Sequence, residues 1–108
     1  MINVLENVPY QDQKMGRRKL VDEKHLLMMQ VALKPGQSVP SHFADSNVHI
    51  LLVKGDVFVN LNGREELFKE GSLVPIAFKT SMSIMNKSIN DASFLIIKTP
   101  NPTEMAGE

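Results

Sequence analysis

Two of the three histidines, His42 and His49, fall in the stretch P-S-H-F-A-D-S-N-V-H-I-L-L-V-K-G, which runs from Pro40 to Gly55 and also carries Asp45 and Asn47. Imidazoles and a carboxylate just ahead of an apolar run are the donor types of a strand-borne metal site. The same groups could instead form a proton-transfer pair, His42 with Asp45. The two-residue period of a strand opposes the metal reading. Val48, Ile50 and Leu52 read as one inward face, which turns His49 outward. A bulge at His49, or an approach by Asp45, would be needed to give His42 a second ligand. Otherwise His49 lies on the surface and His42 is half-buried near a pocket mouth. His25 opens an apolar run and reads as a core or edge histidine, and Tyr10, the sole tyrosine, falls in a loop.

Composition removes several classes of chemistry. There is no cysteine, so disulfides and thiolate sites are absent. Lys+Arg and Asp+Glu both number 12, and the triplet Arg17-Arg18-Lys19 reads as a solvated face rather than a nucleic-acid stripe. The opening M-I-N-V-L-E-N-V-P-Y lacks the features of a signal peptide, and the apolar run at 50–53 is far short of a membrane span. A cytoplasmic protein that binds neither nucleic acid nor membrane is expected.

The elements that must position these residues are strands. Pro35-Gly36, Lys54-Gly55, Asn62-Gly63, Glu70-Gly71 and Asn90-Asp91 separate short segments rich in Val, Ile, Leu and Phe. This spacing predicts an all-β sandwich or barrel with strands at 2–5, 17–22, 25–34, 47–53, 56–61, 64–69, 72–76, 82–87 and 92–98. Asn62-Gly63 predicts a hairpin with a type I′ turn. In H-L-L-M-M-Q-V-A-L-K, Leu27, Met29, Val31 and Leu33 form one apolar face, while Leu26, Met28 and Ala32 make the other half-apolar. Both faces should therefore be covered, the second by another subunit, which gives a homodimer through this strand and the N-terminal strands. The whole chain, 1–108, reads as one domain with its core at about 17–99 and a frayed tail over 100–108.

The region 36–86 resembles the cupin family. The first cupin motif runs G, five residues, H-x-H, three or four residues, E, six residues, G. Gly36 and His42 fit it, Ala44 and Val48 replace the second histidine and the glutamate, and Gly55 closes it. The second motif runs G, five residues, P-x-G, two residues, H, three residues, N. Gly71 opens it, Ala77, Lys79 and Met82 replace the proline, glycine and histidine, and Asn86 closes it. The resemblance implies a double-stranded β-helix, a jelly-roll-like barrel with a pocket between two sheets.

It also implies that the metal ligands of the family would fall at His42, Ala44, Val48 and Met82, where one imidazole remains. Alanine and valine donate nothing, and a thioether suits soft ions. The expectation is a metal-free protein without cofactor that binds a small molecule in an apolar pocket formed by His42, Ala44, Val48, Ile50, Met82, Ile84 and Asn86. The alternatives are a weakly bound divalent ion at His42 with His49 or Asp45, serving a dioxygenase or isomerase, a metal-free acid/base enzyme built on His42, and an inert structural dimer.

Overall fold

Short Val-, Ile- and Leu-rich segments alternating with turn residues leave the chain few ways to satisfy its backbone except antiparallel pairing. The computed structural model describes residues 1–105, and among these it contains nine strands and one short helix. The strands are β1 (Gly16–Glu23), β2 (Leu26–Leu33), β3 (Ser38–Phe43), β4 (Asn47–Lys54), β5 (Val57–Leu61), β6 (Arg64–Phe68), β7 (Leu73–Ile76), β8 (Ser81–Met85) and β9 (Ala92–Thr99), followed by α1 (Pro102–Met105). They form a five-stranded sheet in the order β1-β2-β9-β4-β7 and a four-stranded sheet in the order β3-β8-β5-β6. The two sheets enclose one core, and this is the double-stranded β-helix that the motif resemblance implies.

Alternation along the strands builds that core. Val48, Ile50 and Leu52 of β4, Val57 and Val59 of β5, Met82 and Ile84 of β8, and Phe94 of β9 are all buried in one cluster. Each such side chain contributes about 1.5–3 kcal/mol when fully withdrawn from water. The turns carry the predicted chemistry. Asn62 and Gly63 both have positive φ, 53° and 85°, as a type I′ hairpin between β5 and β6 requires. Gly55 has φ 75°, and a Cβ there would stand 2.5 Å from the Asp91 carbonyl oxygen, so two constraints hold glycine at the end of β4.

Three elements differ from the sequence reading. β3 is a strand although the prolines around it read as loop. It is the edge strand of its sheet, and its register shifts between Val39 and His42, where Pro40 lies, so a missing N–H breaks no ladder. The segment 2–5 is no strand. It belongs to an N-terminal arm laid on the outer face of β1 and β2, held by side chains rather than by a ladder. Arg18 donates to the carbonyls of Asn3, Glu6 and Asn7, and Gln30 donates to the Val4 carbonyl at 2.8 Å. Gly16 is part of the same joint, because a Cβ there would lie 1.5 Å from the Pro9 carbonyl oxygen. Finally, the start of the C-terminal segment is fastened. Asn101 is buried and donates to Asp22 Oδ1 at 2.8 Å and to the Glu23 carbonyl at 3.1 Å, just ahead of α1. The rest of the expected frayed tail, 106–108, lies outside the described residues. Among the described residues no helix is long and apolar enough to cross a membrane.

Candidate functional site

Three of the four positions where the resemblance places metal ligands are core. Ala44, Val48 and Met82 are 2%, 2% and 3% exposed and belong to one hydrophobic cluster. Their neighbour His42 stands opposite Met82 in the β3–β8 register yet is itself exposed. Its Nδ1 donates to the Pro40 carbonyl at 2.9 Å. One imidazole beside two hydrocarbon side chains and a thioether does not form a donor set for a divalent ion. Among the described residues no group of three or more His, Asp or Glu is gathered where it could hold a metal.

His49 alternates with buried Val48 and Ile50 and lies exposed on the outer face of β4, so it cannot join His42. Asp45 does not pair with His42 either. Its carboxylate meets Lys98 Nζ at 2.9 Å instead, and the His42–Asp45 proton-transfer pair is not formed. His25 sits in the exposed β1–β2 turn beside Glu23, at 3.3 Å, rather than on an apolar strand face. Tyr10 packs in the N-terminal arm, where its hydroxyl and that of Ser93 are both buried. Burial first, and then the Asp91 carboxylate, push the Tyr10 phenol above its ordinary pKa. Ser93 faces outward between the inward-facing Ala92 and Phe94, so Tyr10 and His42 are kept on different sides of the sheet.

The predicted pocket set needs a second correction, at Asn86. Its side chain is fully buried and fully engaged. The amide donates to the carbonyls of Leu33 at 3.0 Å and Asn90 at 2.8 Å, while Oδ1 accepts from the Ser88 N–H and hydroxyl. Nothing is left for a ligand, and the residue acts as the staple that closes the β8–β9 connection. Ile50 and Ile84, like Ala44, Val48 and Met82, are closed core and line no opening. Of the seven expected pocket residues, His42 alone lines one.

That opening is a cleft of about 320 Å³ at the side of the barrel. Val39, Pro40, Ser41 and His42 of β3 form one wall. The other is the inner face of the five-stranded sheet, with Arg17 of β1, Met29 and Val31 of β2, and Ile96 and Lys98 of β9, and Met15 closes one end. The register explains why these side chains meet: Arg17 stands opposite Val31, Met29 opposite Ile96 and Leu27 opposite Lys98. The triplet Arg17-Arg18-Lys19 is thus not one solvated face. Alternation sends Arg17 inward to the cleft and Arg18 outward to Gln30 and the arm, while Lys19 pairs with Asp22 at 3.0 Å. Sequence reasoning missed Arg17 and Lys98. The available signal for Lys98 was its place two residues after apolar Ile96 on one strand, whereas Arg17 meets Val31 only through the register of β1 on β2.

No family model matches the chain. The chain is 31% identical over 88 residues to the uncharacterized protein MJ0764 of Methanocaldococcus jannaschii, a match covering 81% of this chain and 76% of that protein. The crystal structure of that archaeal protein, described as an RmlC-like cupin family protein with a double-stranded β-helix fold, superposes with a TM-score of 0.81 at 26% identity. It covers 96% of this chain and 99% of that one. An uncharacterized conserved protein with a double-stranded β-helix domain from Klebsiella pneumoniae superposes with a TM-score of 0.85 at 17% identity, over 94% of this chain and 90% of that one.

Proposed function

The chain belongs to the RmlC-like cupin family, and from that premise we propose that it works without a resident divalent ion and binds a small, largely apolar molecule in the side cleft. The observation that carries this reading is a relocation of usable space. The family's ligand positions are filled by Ala44, Val48 and Met82 inside closed core, while an open volume of about 320 Å³ lies beside them, against Met29, Val31, Val39 and Ile96. That volume is at the small end of the range for ligand sites, and an apolar floor with a few polar groups at the rim is their usual makeup.

A metal-dependent dioxygenase or isomerase would need donors that these positions lack. A proton-transfer role for His42 would be exercised in the same cleft, but its expected partner Asp45 is engaged by Lys98.

The same reading includes a homodimer through the outer face of the five-stranded sheet. Two cross-strand rows support it, Met28–Ile97 and Leu95–Leu51–Leu73, which put apolar side chains side by side on that face. Leu73, at 59% exposure, is the most open of them.

The binding claim is tested by where a small apolar molecule settles. A bromine-labelled alcohol, 8-bromo-1-octanol, soaked into crystals and located by its anomalous signal, is expected among Met15, Met29 and Ile96.

A further inference from the structure

The cleft is apolar at its floor and carries two cationic side chains, Arg17 and Lys98, at its rim. No carboxylate lines it. Lys98 is largely covered, its side chain 17% exposed, and its charge is offset by Asp45 from outside the lining. Arg17 has no such offset: it makes no ion pair with any described residue. Arg17 stands directly opposite the core residue Val31, so its exposed guanidinium borders the apolar floor of the cleft and is open to a ligand there. Arg18, its neighbour in sequence, is fully used by three arm carbonyls and Gln30. The contrast between the two is the observation to be explained.

We infer that the molecule held in the cleft is an amphipathic carboxylate, its hydrocarbon body on Met15, Met29, Val39 and Ile96 and its carboxylate on the guanidinium of Arg17. A planar guanidinium matches a carboxylate through two parallel N–H···O bonds, and the fit adds orientation as well as attraction. Lys98 stands at the same rim with its charge offset by Asp45, which leaves Arg17 as the cation open to a ligand. The apolar floor supplies affinity by area, and the Arg17 guanidinium selects the ionised head over a neutral one. The two methionines at the floor are flexible and polarisable, which suits a chain or ring of variable shape. This inference rests on the cleft being a binding site, and it names the ligand class.

The test uses the full chain labelled with 13C at its methionine methyl groups. Met15 and Met29 line the cleft, whereas Met28 on the outer face of β2 and Met85 on β8 do not, so they serve as internal controls. Octanoate and its neutral counterpart octanamide are titrated separately. Both are expected to shift the Met15 and Met29 resonances saturably, octanoate at a concentration at least about tenfold lower, and neither to shift Met85. Arg17→Gln is expected to abolish that tenfold preference and leave octanamide binding as it was. Arg17 is an exposed residue, so this variant keeps the fold. Octanoate binding no tighter than octanamide, or a preference that survives in Arg17→Gln, overturns the assignment of a carboxylate to Arg17 while cleft binding itself stands. If neither compound moves Met15 or Met29, cleft binding and the ligand class fall together.

Discussion

Lys79 is held at φ 70°, in the left-handed region that side chains other than glycine enter at a cost of about 1–2 kcal/mol. It stands where the second cupin motif has glycine, the residue that takes this bend without strain. Its N–H donates to the Ala44 carbonyl at 2.8 Å, which ties the β7–β8 turn to the end of β3. Lys79→Gly should relieve the strain, with part of the gain cancelled by the freer unfolded chain. The expected result is a stabilisation of up to about 1 kcal/mol, read as a higher urea midpoint at unchanged slope. A lower midpoint would mean that the contact of its ammonium with the Phe78 ring, 5.3 Å away, outweighs the strain. At this scale the sequence was legible where a residue type has one use, as at Asn62-Gly63. It was not legible where adjacent residues of one type have opposite fates. Arg17 and Arg18 look alike in the chain, and only the register of β1 on β2 separates a cleft residue from an arm clamp.

Among the elements, those with strict alternation could be read directly. β4, β5, β7, β8 and β9 fall within a residue or two of expectation because each has one face in the core, and β6 does so as the return strand of the Asn62-Gly63 hairpin. β3 escaped notice because Pro40 is a strand breaker everywhere except at an edge or bulge, and an edge is a property of the sheet. The N-terminal arm escaped for a related reason. Its hold on the barrel comes from carbonyl groups meeting Arg18 and Gln30, and carbonyls carry no sequence signal. Gly16 is the place to test that hold. Gly16→Val would drive a side chain into the Pro9 carbonyl and lift the arm, leaving buried Gln30 without the Val4 carbonyl. An unpaired buried amide costs about 1–3 kcal/mol, so the melting temperature should fall while the barrel remains folded. Limited proteolysis should then cut within residues 1–15 in the variant and not in the parent. Equal resistance in both would show that the arm is held by something other than this joint.

For the whole molecule, the fold was legible from backbone punctuation, since Gly36, Gly55 and Gly71 all take positive φ at the turns the motif marks. The site was less so, because the motif pointed to Ala44, Val48 and Met82, and these are packed in the core. The expectation of a dimer shifts in the same way. Half of the outer face of β2, at Gln30 and Ala32, is covered by the chain's own arm rather than by a partner. The apolar surface left for a second copy lies further along the sheet, at Met28, Ile97, Leu51 and Leu73. Light scattering at high micromolar concentration should give twice the chain mass, from an interface of at least about 1,200 Å² in total, and Leu51→Glu should give the monomer. A monomeric parent protein would contradict the dimer and leave the cleft untouched.

The central claim is that small molecules enter at the side cleft and not among Ala44, Val48 and Met82, and the position of one bromine atom decides it. In crystals soaked with 8-bromo-1-octanol, the anomalous peak is predicted within van der Waals contact of Met29 and Ile96, below the rim formed by Arg17 and His42. A peak enclosed by Ala44, Val48 and Met82 would move the site into the barrel core. A peak only on the outer face at Leu51 and Leu73, or none in the cleft at saturating compound, would contradict the claim outright.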